Sequence, residues 1–109
     1  MKRAHLILLG YALLVAYVSL RPGGAGVIEP WDKLGHLVTY ALFAVLAFPA
    51  SGRGWRYVAL CVAILAYSGL MEIGQSFMPG RVMSALDLLA NLAGILIGAL
   101  ASVALRRAT

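Results

Sequence analysis

Polar side chains that could act as acids, bases or metal ligands form three short pairs in an otherwise apolar sequence. The pairs are Asp32 and His36 (i, i+4), Glu72 and Gln75 (i, i+3), and Asp87 and Asn91 (i, i+4). Residues at these spacings share one face of a helix. A histidine with two carboxylates suits either a hydrolytic base with its orienting group or a divalent-metal site. We therefore select His36, Glu72 and Asp87 as candidate catalytic residues, which could instead hold a divalent metal ion.

Basic and amide residues beside these three could bind an anionic ligand. Lys33 and Arg81 would supply positive charge for a phosphate, with Arg81 forming paired hydrogen bonds. The candidate substrate-binding residues are Asp32, Lys33, Gln75, Arg81, Ser84 and Asn91. The sequence contains no GxSxG, HExxH or Walker element, so these residues indicate a site without indicating its reaction class.

Four apolar stretches position these residues, at about 5–20, 34–50, 57–78 and 86–105. At 1.5 Å per residue they reach roughly 24–33 Å, which is close to the ~30 Å of a bilayer's hydrocarbon core. None shows the sustained alternation of a membrane strand. The sequence therefore predicts an all-α fold, a four-transmembrane-helix bundle in which residues 1–109 form one domain.

Composition supports a membrane location. Hydrophobic residues make up 62% of the 109 residues and charged residues only 12%, against about 45–50% and about 25% in soluble domains. The net charge is +5, but the basic residues stand in small groups at the edges of apolar stretches rather than along one face. The composition disfavours a soluble globule, and the distribution of the basic residues disfavours nucleic acid as a partner. The single cysteine, Cys61, excludes an intrachain disulfide.

The basic residues also predict the direction of the helices. With both termini cytoplasmic, the inner segments carry Lys2, Arg3, Arg53, Arg56, Arg106 and Arg107, and the outer segments carry Arg21, Lys33 and Arg81. This asymmetry follows the positive-inside rule and places all three polar pairs at the outer end of the bundle. The first stretch could alternatively be a signal peptide, although no clean small-x-small cleavage site precedes Arg21.

Each polar residue also has a structural interpretation. Asp32 could cap the second helix, and Ser84 with Asp87 forms a capping-box-like pattern. Arg81 could pair with Glu72 or with Asp87, and the histidine could be an interhelical hydrogen-bonding residue. Under these interpretations the whole set is a structural polar core.

Small residues in the fourth stretch form a ridge at four-residue spacing. Its members are Ala90, Gly94, Gly98 and Ser102. Such small-xxx-small patterns allow membrane helices to approach closely, and we interpret this ridge as helix packing only.

The polar residues stand in two blocks, Asp32-Lys33-x-x-His36 and Glu72-x-x-Gln75-x-x-x-Pro79-Gly80-Arg81-x-x-Ser84-x-x-Asp87-x-x-x-Asn91-x-x-Gly94. Together they resemble the VanZ-like family of small bacterial membrane proteins, from about Asp32 to Gly98. Leu37 replaces the aromatic residue expected after the histidine. The resemblance implies a multi-pass protein of the bacterial cytoplasmic (inner) membrane and cell envelope, in a family whose founding member is linked to teicoplanin resistance. It implies no settled biochemical activity.

Two functions of different class follow for the outer polar pocket. In the first, it binds, and could modify, an anionic envelope lipid or a lipid-linked cell-wall precursor, which would influence glycopeptide susceptibility. In the second, the protein is a non-enzymatic membrane interaction module with a structural polar core. A proton-coupled carrier using Glu72 is disfavoured, because the inner half of the bundle lacks polar residues. Whether the protein is an enzyme, and its oligomeric state, stay open.

Overall fold

The computed structural model describes residues 2–20, 31–52, 54–77 and 85–108. They form four α-helices, α1 (Arg3–Leu20), α2 (Trp31–Ser51), α3 (Trp55–Gln75) and α4 (Ala85–Ala108), and the described ranges contain no strand. All four helices are long and apolar enough to cross a membrane. The predicted all-α bundle of four spans is confirmed, and the helix bounds differ from the predicted stretches by up to three residues. The direction of the termini stays a prediction.

Two glycines surround the break between α2 and α3. Gly52 and Gly54 both have positive φ angles, of 75° and 84°, which side chains other than glycine rarely adopt. The Gly52 N–H donates to the Phe48 carbonyl at 2.8 Å and closes the end of α2. The positive φ angles of Gly52 and Gly54 therefore accompany the end of α2 and the start of α3.

Helices α2 and α4 form the most extensive contact of the bundle, while α1 contacts α2 and α3 only. A Cβ built on Gly94 would overlap the Leu37 carbonyl group, and one built on Gly98 would overlap the Ala41 carbonyl group. The two glycines therefore let the α2 and α4 backbones approach closely. Helix α1 is peripheral, and among its described residues only Val15 is buried.

Aromatic side chains fill the middle of the bundle. Phe43 packs edge-on against Tyr11 and Tyr67, with ring centroids 5.2 and 5.7 Å apart. Tyr11 and Tyr67 also donate hydrogen bonds to the backbone carbonyls of Thr39 and Ala12, which join α1 to α2 and α3. Outside this core, many large apolar side chains are exposed on every helix, as expected for a bundle surrounded by hydrocarbon.

Candidate functional site

Three helix ends meet at one end of the bundle, which we call the polar end: the first turns of α2 and α4 and the last turns of α3. Four polar side chains are buried there, with exposed fractions of 2% for Glu72, 5% for Gln75, 5% for Asp87 and 1% for Asn91. Burying an ionisable group is costly unless neighbouring groups compensate it. Neighbouring groups must therefore offset the cost of burying the Glu72 and Asp87 carboxylates.

His36 lies between groups from α3 and α4. Its Nδ1 is 3.0 Å from Asn91 Oδ1 and 4.0 Å from Glu72 Oε1, while its Nε2 is 3.9 Å from Asp87 Oδ2. Because an amide oxygen can only accept, the hydrogen bond to Asn91 requires Nδ1 to carry the proton. In the neutral ring, Nε2 then presents its lone pair toward Asp87.

Lys33 adds a cation to this arrangement. Its Nζ lies 2.5 Å from Asp87 Oδ1, and its side chain is one-fifth exposed. Asp87 thus faces Lys33 with one carboxylate oxygen and His36 with the other. We call these five residues, Lys33, His36, Glu72, Asp87 and Asn91, the polar cluster.

The helix dipoles stabilise the charge of one carboxylate, Asp87, and destabilise the charge of the other, Glu72. Asp87 stands in the first turn of α4, where the partial positive charge of the helix N-terminus stabilises an anion. Glu72 stands in the last turn of α3 and its own carbonyl accepts from the Ser76 N–H, so the dipole there opposes a negative charge. Compensation for Glu72 must therefore come from side chains or from a ligand.

The cluster ends abruptly toward the middle of the bundle. On α2 the next residue on the same face is Tyr40, which is buried. On α3 the next residue is Ser68, whose hydroxyl donates to the Leu65 carbonyl of its own helix at 2.7 Å. Below these residues lies the aromatic core. The buried carboxylates and amides of the described residues are therefore confined to one end of the bundle, and the buried polar groups beyond them, such as Ser102, carry only hydroxyls.

Close packing of α2 and α4 brings their polar residues together. Gly94 lies one turn beyond Asn91 on α4, and its contact with the backbone of Leu37 lies next to His36 on α2. A larger residue at Gly94 would separate the two backbones at the level of the His36–Asn91 hydrogen bond. The ridge interpreted from the sequence as packing only thus also positions the cluster.

The structure brings together five of the residues selected from the sequence, the members of the polar cluster. Gln75 is buried on the same face of α3 as Glu72, one turn away. The side chain of Asp32 and the residues Arg81 and Ser84 lie outside the described part of the chain, so their predicted roles as caps, ion-pair partner or ligands stay predictions. Sequence reasoning missed the pairing of Lys33 with Asp87, because it assigned Lys33 to an anionic ligand.

Three members of the cluster could together hold a metal ion. His36, Glu72 and Asp87 each offer one ligand atom, and these atoms all lie within 4.8 Å of one another. The same three residues are the predicted catalytic set, and their role stays a prediction.

Comparison with known families identifies the chain. A family model described as VanZ/LLP1 matches residues 5–106, nearly the whole chain. No match was found among curated proteins or among solved structures. Together with its four apolar helices, this match shows that the chain belongs to the VanZ family and is a multi-pass membrane protein.

Proposed function

We propose that this member of the VanZ family binds the headgroup of an anionic envelope lipid, or of a lipid-linked cell-wall precursor, at its polar end. The proposal follows from the position of the polar cluster at the end of three apolar spans, which is the depth at which lipid headgroups meet hydrocarbon.

The observation that carries the proposal is the Asn91 amide. Its oxygen faces His36, but its buried Nδ2 has no hydrogen-bond acceptor among the described residues. A buried amide donor without an acceptor costs about 1–3 kcal/mol. A phosphate or sugar oxygen of a headgroup would supply the missing acceptor.

Two basic residues support an anionic headgroup in particular. An ammonium has three N–H donors, so contact of Lys33 with Asp87 is compatible with a second acceptor. Arg81 follows α3 by six residues in the sequence, and its guanidinium would bind a phosphate through two parallel hydrogen bonds. Gln75, buried beside Glu72, would add a neutral hydrogen bond.

Lipid titration of the purified protein tests headgroup binding. In neutral detergent, native mass spectrometry would compare phosphatidylglycerol with zwitterionic phosphatidylcholine. We expect tighter binding of phosphatidylglycerol, and a loss of roughly tenfold in affinity for Arg81→Gln, because a hydrogen bond to a charged group contributes about 1.5–3 kcal/mol. Asn91→Leu, which removes the amide donor, should also weaken binding.

Ser76→Ala is the matched control. Ser76 is exposed at the same end, and its hydroxyl donates to the Ile73 carbonyl of its own helix. This variant should bind phosphatidylglycerol like the wild type. Equal affinity of all three variants and the wild type, or no preference for the anionic lipid, would contradict the proposal.

Whether the bound lipid is modified requires an experiment in cells. Lipid and cell-wall precursor profiles would be compared between cells lacking the protein, cells expressing it and cells expressing Glu72→Gln at equal abundance. A lipid species that changes with the protein and depends on Glu72 would indicate an enzyme. Unchanged profiles, combined with altered teicoplanin susceptibility, would indicate a binding module.

The side of the membrane is tested by cysteine labelling. On a Cys61→Ala background, single cysteines at positions 53 and 81 would be treated with a membrane-impermeant reagent. We expect labelling at position 81 and protection at position 53, because the basic residues favour cytoplasmic termini. The reverse pattern would move the polar end to the cytoplasmic side.

A further inference from the structure

We infer that His36, Glu72 and Asp87, which we call the triad, bind a divalent metal ion at the polar end. The three residues come from three different helices, and one ligand atom of each lies within 4.8 Å of the other two. The inference rests on four observations: the tautomer of His36, the spacing of the triad, the charge of the cluster and the donor left over on Asn91.

The tautomer places a metal-binding lone pair at the correct position. His36 donates from Nδ1 to the Asn91 oxygen at 3.0 Å, which leaves the Nε2 lone pair facing Asp87 Oδ2 at 3.9 Å. Metal-ligating histidines almost always donate their other ring N–H in this way. The second oxygen of Asp87 is held by Lys33, so this ligand is oriented as well.

The spacing distinguishes a metal site from a simple ion pair. A protonated histidine held by two carboxylates would form charge-assisted hydrogen bonds of about 2.7–2.9 Å. The observed separations are 4.0 Å from Nδ1 to Glu72 Oε1 and 3.9 Å from Nε2 to Asp87 Oδ2, and only the second joins two atoms that would both bind the metal. Two ligand atoms bound at about 2.1 Å to one ion are about 3.0–4.2 Å apart, depending on the angle between them. The widest triad separation exceeds this range by less than an ångström, which a side-chain movement would close.

The net charge of the polar cluster also favours a divalent metal ion. With His36 neutral, the described cluster contains one cation, Lys33, and two carboxylates, Glu72 and Asp87, for a net charge of −1. A divalent ion changes this to +1. It would compensate Glu72 against the opposing dipole of α3 and would make the cluster attractive to an anionic headgroup. That link to the headgroup rests on the function proposed above, whereas the metal site itself does not.

The ligand set also indicates the class of metal. One imidazole disfavours Mg²⁺ and Ca²⁺, which prefer oxygen ligands alone, and two carboxylates disfavour metals that select sulfur. A mixed set of one nitrogen and two oxygens suits Mn²⁺ or Zn²⁺. Three protein ligands leave at least one coordination position open for a water or a phosphate oxygen. Such an oxygen would be an acceptor for the buried Asn91 amide.

Mn²⁺ titration of the purified full chain tests the site without any lipid. After EDTA treatment and its removal, electron paramagnetic resonance would measure free and bound Mn²⁺. We expect one saturable Mn²⁺ per chain, displaced by Zn²⁺. Glu72→Gln and Asp87→Asn should each weaken binding at least roughly tenfold, and so should Asn91→Leu, because residues that orient a metal ligand typically contribute about 10–100-fold. Ser76→Ala should bind like the wild type.

Folding of each variant is checked by circular dichroism and by the elution volume in detergent, and His36→Gln, which removes the third ligand, completes the set of triad variants. Absence of saturable Mn²⁺ and Zn²⁺ binding by the wild type, or unchanged binding by folded triad variants, would overturn the metal site. Phosphatidylglycerol binding that persists in EDTA would then leave the proposed function standing. Metal binding by a protein without lipid preference would support the site and contradict only the proposed function.

Discussion

At the opposite end of the bundle, which we call the apolar end, the Tyr57 hydroxyl donates to the Ala44 carbonyl at 2.7 Å, and its ring packs edge-on against Phe48. At the polar end, by contrast, His36 faces two carboxylates at about 4 Å. The Tyr57 hydroxyl is accounted for by the fold, since it connects α3 to α2, whereas the buried Ser102 Oγ on α4 has no hydrogen-bond partner among the described residues. At the polar end the ionisable groups lie near one another, and the buried Asn91 Nδ2 has no hydrogen-bond acceptor among the described residues.

The same three helices form both ends, so the contrast does not come from the architecture. On α2 the buried face changes from His36 to Tyr40, Phe43 and Ala47, and on α3 from Glu72 to Ser68 and Ile64. Carboxylates are absent from the apolar end in the described residues. The contrast supports the proposal that the polar end binds a ligand.

The largest effect is expected from removing the cation of the polar end. Lys33→Ala leaves Asp87 buried without its ion-pair partner, which should lower the free energy of unfolding by about 3 kcal/mol, the low end for a buried pair because Lys33 is partly exposed. Unfolding in mixtures of mild detergent and SDS, with EDTA present, measures this change in the free energy of unfolding. Adding Asp87→Ala should recover most of the loss. A stable Lys33→Ala protein, or no recovery in the double variant, would show that the pair is not needed.

A smaller effect is expected from separating α2 and α4. Gly94→Ala forces a Cβ against the backbone of Leu37, and such overpacking typically costs about 1–3 kcal/mol. The same change should also weaken lipid and Mn²⁺ binding, because it separates His36 from Asn91. Gly69→Ala is the matched control, since a Cβ there meets nothing within 4 Å. Loss of stability with undiminished binding would show that Gly94 does not position the cluster.

Helix number and the residues of each face could be predicted from the sequence, because length, apolarity and three- to four-residue spacing are local properties. Helix packing could not. The contact of Lys33 with Asp87 depends on how α4 is shifted along α2, and that shift is set by Gly94 and Gly98 against Leu37 and Ala41. The sequence marked these glycines as a packing ridge but not which helix they contact. Because the sequence does not show how α4 lies against α2, the sequence analysis assigned Lys33 to a phosphate and not to Asp87.

The coupling between Glu72 and Arg81 should change the free energy of unfolding less than the loss of Lys33 or the Gly94→Ala substitution does. Arg81 follows the Pro79-Gly80 turn in the sequence and would compensate Glu72, which the α3 dipole opposes. In a double-mutant cycle of Glu72→Gln and Arg81→Ala, we expect a coupling of at least about 0.5 kcal/mol in the free energy of unfolding. Glu72→Gln should partly relieve the defect of Arg81→Ala. Strictly additive changes would show that Glu72 is compensated by other groups.

The most direct test of the contrast between the two ends pairs His36→Gln with Tyr57→Phe. Tyr57→Phe removes the hydroxyl bond to Ala44 and should lower stability by about 0.6 kcal/mol, the average for such bonds in membranes, without changing phosphatidylglycerol binding. His36→Gln keeps an amide for hydrogen bonding, so its melting temperature should stay near that of the wild type while phosphatidylglycerol affinity falls at least roughly tenfold. If His36→Gln instead binds phosphatidylglycerol like the wild type and loses only stability, the polar cluster is packing and the account is wrong.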